Sequence, residues 1–253
     1  MRYKNVFISD IHLGSISCKH HQLLGFLKTL DEHQPDNLYL VGDIIDLWKL
    51  NKGFSWKPEH NIVVQKILRL SRKGVKVHYI LGNHDESFRS LPDGFRFGDI
   101  EVSDQCEFVS TYGKKYLVIH GDQYDTFLLQ HGILARIGSF AYDSLVVLNS
   151  ALSFVRRKLG LPYWSLSHYV KVTAKNATTI VDIFENSMSE NIKEKGYDGV
   201  ICGHIHLAKI KLMDGFKYIN CGDWTESCSA VVEYETGEMG LVFYKDESER
   251  PQD

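Results

Sequence analysis

The chain has 253 residues, 43% hydrophobic and 24% charged, with a formal net charge of −3. That length and apolar content suffice for a full-sized core and exclude a disordered or fibrous chain. The near balance of charge gives no broad attraction to phosphate-rich polymers, so nucleic acid is not an expected partner.

In chain order, the apolar run at 5–9 predicts a buried strand that stops at Asp10. Leu23, Leu24, Leu27 and Leu30 recur at helical spacing. A second apolar run ends at Gly42-Asp43. Ile62, Val63, Ile67 and Leu70 predict another helix, closed by Gly74. Further apolar runs end at Gly82-Asn83, at His120 and at Gly203-His204. Alternating strands and helices imply α/β layers. The tail reads differently: 209–212, 217–220, 230–234 and 241–244 are short strands joined by Asp214-Gly215 and Thr236-Gly237 turns, a meander completing a second sheet.

The polar strand ends Asp10, Asp43, Asn83 and His120 are spaced fairly evenly, but His204 follows only after a long interval. An insert at about 123–164, within a single domain spanning 1–253, accounts for it. Its apolar residues run from Phe127 to Val155 and are followed by Arg156, Arg157 and Lys158. They are too many for one helical stripe, which suits a helical lid that also faces a ligand; a hairpin that merely fills a core is the equal alternative.

Five cysteines, Cys18, Cys106, Cys202, Cys221 and Cys228, lie in or beside apolar runs, as expected of reduced thiols in the cytosol. The opening MRYKNVFISD reaches a carboxylate too early for a signal peptide, and no apolar run approaches the roughly 20 residues of a spanning helix. Any membrane contact is therefore expected to be peripheral.

Each apolar strand delivers metal-ligating side chains at its polar end: Asp10-Ile11-His12, Gly42-Asp43, Gly82-Asn83-His84-Asp85, His120-Gly121-Asp122 and Gly203-His204-Ile205-His206. On a strand, a period of 2 places both members of a D-x-H or H-x-H pair on one side, where they can chelate one ion. Glycine before Asp43, Asn83 and His204 lets backbone approach a crowded site. Singly, His12 or His120 reads as a structural histidine and Asp43 as a helix cap. Five coincidences at strand ends favour a site. His20, His21, His33, His60, His78, His131 and His168 lack that setting and read as structural or solvent-facing.

D-x-H, GD, GNHD, H and GHxH in this order resemble the signature of calcineurin-like metallophosphoesterases, over 10–206. The resemblance implies a four-layer α/β/β/α sandwich. It also implies two divalent ions, one held by Asp10, His12, Asp43 and His206 and the other by Asp43, Asn83, His120 and His204, with Asp43 bridging. Mixed nitrogen and oxygen ligands without thiolate suit Mn²⁺, Fe or Zn²⁺ better than Mg²⁺ alone, and the resemblance implies Mn²⁺ among them. Such a pair activates water for in-line attack at phosphorus. His84 resembles the family histidine that steadies the phosphoryl oxygens or protonates the leaving group, with Asp85 fixing its orientation. Asp122 reads as a partner of a ligand histidine or as a turn residue.

Over the whole chain the similarity is to the UDP-2,3-diacylglucosamine pyrophosphohydrolase group of lipid A synthesis. It rests on the FISDIHLG opening, Ile44-Ile45-Asp46-Leu47-Trp48 after Gly42-Asp43, the helical insert, Ala174-Lys175-Asn176 with Ile180-Val181-Asp182, and Ile219-Asn220-Cys221-Gly222-Asp223-Trp224. The resemblance implies hydrolysis of the diphosphate to UMP and lipid 1-phosphate at the inner face of the membrane, with the insert accommodating acyl chains. Asn83, His84, Arg156, Arg157 and Asn176 are then candidate substrate contacts, with Lys171 and Lys175 beside Asn176. The best-known branch carries Arg where this chain has His84. That departure keeps a second function in view, a soluble phosphoesterase for another nucleotide or phosphoester. A third reading, a binding scaffold without chemistry, is disfavoured because every ligand position is filled.

Overall fold

The structure is a computed structural model that describes residues 2–53, 56–92, 94–125 and 175–245. It divides into two compact units, Met1–Asp122 with Ser189–Asp253, and Gln123–Met188. Apart from Gln123, Tyr124 and Asp125, the expected lid at 123–164 lies outside the described residues, as do His131, Arg156, Arg157, Lys158, His168 and Lys171.

In the first unit, alternation along three strands sorts side chains between two cores. Val6 and Ile8 of β1 (Tyr3–Ile8), Leu38 and Leu40 of β2 (Asn37–Val41), and Val77 and Tyr79 of β3 (Lys76–Ile80) share one core with the helices. Phe7, Tyr39, Val41 and Ile80 turn the other way. The helices present matching stripes: Leu23, Phe26, Leu27 and Leu30 of α1 (His20–His33), and Val63, Ile67 and Leu70 of α3 (Pro58–Arg72). Each such side chain, fully buried, contributes about 1.5–3 kcal/mol. Pro58 opens α3 at a position where no amide hydrogen is needed. Gly74 closes it with φ 99° and its N–H donating to Ser71 O, as the sequence predicted.

The remaining strands are β4 (Arg96–Phe97), β5 (Ile100–Ser103), β6 (Gln105–Val109), β7 (Lys115–Ile119), β8 (Gly199–Cys202), β9 (Lys209–Met213), β10 (Phe216–Asn220), β11 (Ser229–Tyr234) and β12 (Met239–Phe243). One sheet runs β12-β11-β1-β2-β3-β5-β4 and the other β6-β7-β8-β10-β9. Between them, Phe7 meets Phe108 edge to face at 5.0 Å and stacks on Tyr39 at 4.5 Å. Val118, Ile201 and Ile219 complete this inner core. Two sheets with helices over the first give the expected α/β sandwich.

The tail departs from the meander expectation. The β9–β10 hairpin joins β8, with β10 parallel to it, whereas β11 and β12 return to the first sheet, β11 antiparallel to β1. The Asp214-Gly215 turn, with φ 48° and 81°, fixes its own hairpin but not the sheet that the next strand enters. The end of α4 (Lys175–Glu194) lies over the hairpin, with Ser189 Oγ 3.7 Å from Met213 Sδ and Lys193 Nζ donating to Asp214 O at 2.9 Å. Among the described residues, no helix is long and apolar enough to cross a membrane.

Candidate metal centre

Five strands of the first unit end at one place, and the residues just past them form the site. Contrary to the period-2 expectation, the D-x-H and H-x-H pairs are not on strands: β1 stops at Ile8 and β8 at Cys202. Asp10 (φ 54°), His12 (53°), Asp43 (55°), His204 (70°) and His206 (54°) all have left-handed backbone, which costs an L residue roughly 1–2 kcal/mol. Interlocking hydrogen bonds hold that strain. His12 N–H donates to Asp43 O at 2.9 Å, Trp224 N–H to Asp10 O at 3.0 Å and Asp10 N–H to Gly42 O at 3.1 Å. Two carboxylates reach across to other loops, Asp10 Oδ2 accepting from His204 N–H at 2.9 Å and Asp43 Oδ1 from His84 N–H at 2.8 Å.

The glycines carry out the close approach expected of them. A Cβ on Gly42 would overlap the His120 ring, one on Gly82 the Asp43 carboxylate, and one on Gly203 the side chains of Ser9 and Asp10.

Seen from its side chains, the site is three interlocking groups among the described residues: Asp10, His12 and His206; Asp10, Asp43 and His120; and His12, Asp46 and His84. His206 Nε2 lies 3.0 Å from Asp10 Oδ1 and 3.3 Å from His12 Nε2. His12 Nε2 is 3.7 Å from Asp43 Oδ2, which is 3.4 Å from His120 Nε2. His206 belongs to the first group, while the His204 ring is 5.0 Å from that of His120.

Two tests ask whether cations fit these residues. Among the described residues, Asp10 Oδ1, Asn83 Oδ1 and His120 Nε2 are buried without a hydrogen bond, an arrangement that costs about 1–3 kcal/mol per group unless something else satisfies it. Histidine tautomers agree. His120 Nδ1 donates to Val41 O at 3.0 Å, which leaves Nε2 as the lone-pair nitrogen; His12 Nδ1 lies 3.2 Å from Asp46 Oδ2, and His206 Nδ1 3.5 Å from Thr225 Oγ1. Thr225 Oγ1 in turn donates to Asp223 Oδ1 at 2.8 Å. A ligand histidine needs such support on its far nitrogen. Divalent cations fit.

A further group of Cys18, His20 and His60 differs in this respect. His60 Nδ1 accepts from Gly14 N–H at 3.2 Å and Lys57 N–H at 3.4 Å, so Nε2 carries the proton and offers no lone pair. Burial, with the charges of His20 and Lys57, pushes this imidazole down to about 4. His60 is structural, as the sequence suggested.

Electrostatics bind the site together. Burial works against ionised Asp10 and Asp43. His206 and His12 nonetheless hold Asp10 well below the usual carboxylate range, and His120 and His12 do the same for Asp43. Conversely, burial opposes the imidazolium of His120, but Asp43 pulls it up to about 10; Asp10 and Asp46 raise His12 well above its ordinary value.

Around His84 the sequence expectation needs correction. Asp85 does not orient the imidazole. Its fully buried carboxylate accepts from Gly82 N–H at 2.6 Å, Tyr79 Oη–H at 2.8 Å and Ile44 N–H at 3.0 Å, which braces the loop from below. Burial and the Asp43 charge push it up. The partner of His84 is Asp46, whose Oδ1 is 2.9 Å from His84 Nδ1. The same oxygen accepts from Lys49 N–H, capping α2 (Leu47–Asn51), while Oδ2 takes His12. Burial opposes the Asp46 charge, and bonds from His12 and His84 overcome it and hold the carboxyl low. In the sequence Asp46 stood out only as part of Ile44-Ile45-Asp46-Leu47-Trp48 after Gly42-Asp43, with no role attached. Asp122 accepts from Arg89 Nη2 at 3.1 Å. Asn176 lies in the first turn of α4, and its side chain, like that of Lys175, is outside the described residues.

A two-sheet α/β sandwich whose strand ends gather carboxylates, imidazoles and an amide is the frame of a metal-dependent hydrolase. Comparison with known families makes this specific. The chain belongs to the calcineurin-like phosphoesterase family, whose pattern matches residues 3–208. Among curated relatives, the UDP-2,3-diacylglucosamine hydrolase of Aeromonas salmonicida is 27% identical over 233 residues, 90% of this chain and 88% of that one. The enzyme of the same name from Haemophilus influenzae is 26% identical, over 93% of this chain and 97% of its own. Among solved structures, a hypothetical protein of Pyrococcus horikoshii superposes with a TM-score of 0.52 at 13% identity, over 98% of this chain and 90% of that one, a likeness of fold alone.

Proposed function

We propose that the chain is a two-metal phosphoesterase that hydrolyses the diphosphate of UDP-2,3-diacylglucosamine to UMP and lipid 1-phosphate. The observation that carries the chemistry is that Asp10 Oδ1, Asn83 Oδ1 and His120 Nε2, the last of them 3.4 Å from Asp43 Oδ2, are buried without a hydrogen bond. Relatives of that name, matched over nine-tenths of the chain, support the substrate. Asp10, His12, Asp43 and His206 would hold one ion and Asp43, Asn83, His120 and His204 the other, with Mn²⁺ the metal that the family resemblance favours and Fe or Zn²⁺ the alternatives. Two such ions supply positive charge against the phosphoryl oxygens and make water more acidic.

The chain's own groups then act on the substrate. Asp46 accepts from His84 Nδ1–H, so the other ring nitrogen, Nε2, 3.9 Å from Asp43 Oδ2, is the one that donates to a phosphoryl oxygen, or gives its proton to the departing oxygen, when it also carries a proton. Asn83 has a buried amide oxygen for the cation and an amide N–H₂ for a phosphoryl oxygen. Acyl chains are assigned to the insert, with Arg156 and Arg157 as candidates for the diphosphate or headgroup, Asn176 as a candidate for the uracil ring, and contact with the membrane surface only peripheral. His84, where the best-known branch has Arg, favours a second reading: the same chemistry on another nucleotide or phosphoester.

Hydrolysis of UDP-2,3-diacylglucosamine in mild detergent with Mn²⁺, beside bis-p-nitrophenyl phosphate and UDP-glucose, separates the two, with Asp43→Ala as the blank. Selective release of UMP from the lipid is the expected result. Turnover of the model diester alone would leave the chemistry and remove the substrate.

A further inference from the structure

Trp48 stands where a core residue would not. It lies on α2, 42% exposed, yet its indole is ordered from two sides. Its ring centroid is 4.3 Å from that of His84 at an interplanar angle of 33°, and its Nε1–H donates to Glu86 Oε1 at 3.2 Å. An indole held merely to shield His84 would bury more of its surface. An indole pinned by its edge and packed at a tilt against a second ring has paid its ordering cost before any ligand arrives. That second ring, His84, is 3.9 Å from Asp43 through Nε2, so an aromatic surface adjoins the centre where a phosphoryl group would sit.

We infer that Trp48 is the stacking platform for the nucleobase of the substrate. The inference rests on the reading of the substrate as a nucleoside diphosphate derivative. With the phosphoryl group at the metal centre, the attached nucleoside must leave it across a short span. An exposed, pre-ordered aromatic ring beside that centre is the surface a planar base recognises, because every base has a π-face. Glu86, which holds the indole edge, is a positioning residue for the same contact.

The test is calorimetric binding of UMP and of ribose 5-phosphate, which lacks the base, to the Mn²⁺-loaded protein. Wild type is expected to bind UMP more tightly than ribose 5-phosphate. Trp48→Leu is expected to weaken UMP by roughly 5- to 100-fold while moving ribose 5-phosphate less than twofold, and Trp48→Phe, which can still stack, to retain most of the preference. Melting temperatures measured alongside ensure that folded proteins are compared. Equal weakening of both ligands would overturn the inference, since Trp48 would then serve His84 or local packing. So would a wild type that does not distinguish them. Turnover of the UDP-lipid by wild type is read separately: its absence with the UMP preference intact rejects the lipid substrate and leaves the platform standing.

Discussion

Asp46→Asn and Asp85→Asn should separate catalysis from stability in opposite directions. Asp46 accepts from His84 and His12 and caps α2 with the same carboxylate. Asparagine caps helices about as well as aspartate, so α2 itself should survive. It has one acceptor oxygen for two imidazoles, however, and no charge. A hydrogen bond to a charged group contributes about 1.5–3 kcal/mol, and losing one of the two corresponds to a fall of roughly 10- to 100-fold in kcat or in apparent metal affinity. Asp85→Asn turns an amide N–H₂ toward donors already supplied by Gly82, Ile44 and Tyr79. At least one is left buried and unpaired, at about 1–3 kcal/mol, so Tm should fall by about 3–10 °C while kcat of the folded protein changes little. Hydrolysis of bis-p-nitrophenyl phosphate across a Mn²⁺ titration, with melting curves, reads both. An Asp46→Asn enzyme with wild-type kcat and wild-type half-saturating Mn²⁺ would refute the assignment of Asp46 to His84.

Metal binding should release protons. Asp43 raises His120 to about 10, and Asp10 and Asp46 raise His12, both above the ordinary imidazole value near 6.5. These ion pairs therefore stabilise the metal-free protein fully below about pH 6.5, and the His120 contribution fades as pH rises through about 10. Near pH 7 an incoming cation must displace those protons, so calorimetry in buffers of different ionisation enthalpy should find between about one and two released per protein; a buffer-independent enthalpy would count against His12 and His120 as ligands. Gly82→Ala, whose Cβ would press on the Asp43 carboxylate and lie 2.6 Å from its backbone nitrogen, should abolish measurable activity even if folded protein is recovered, and activity within tenfold of wild type would contradict the close packing described. Burial pushes the Cys18 and Cys106 thiols up to about 12 and Cys221 well above its ordinary value, so these three should be inert to a thiol reagent at pH 8 in the native protein and react on unfolding.

The site was legible because apolar runs that end in Asp, Asn or His are unusual, and because Gly42, Gly82 and Gly203 precede the ends that pack most tightly. The geometry was not. Asp and His adopt left-handed backbone more readily than most residues, so nothing in D-x-H or H-x-H distinguishes a strand from the turn that follows it. Adjacent position suggested Asp85 as the partner of His84, but consecutive side chains leave the backbone in different directions, and Asp85 points under the loop while Asp46 comes from α2. The short strands β4, β5 and β6 escaped because they are edge or half-exposed segments with no apolar run. Helices α1 and α3 were visible in their stripes, whereas which sheet β11 enters depends on contacts far away along the chain.

That last pairing has a consequence for how the protein comes into being. Asn5 and Glu233, 228 positions apart, are hydrogen-bonded across β1 and β11. During synthesis, β1, β2 and β3 can associate early, but β1 keeps an unpaired edge until β11 has emerged. His204 and His206 also arrive late. A nascent chain therefore displays Asp10, His12 and Asp43 without their later companions, and the hydrolase becomes competent only once the loop of His204 and His206 and strand β11 have been made.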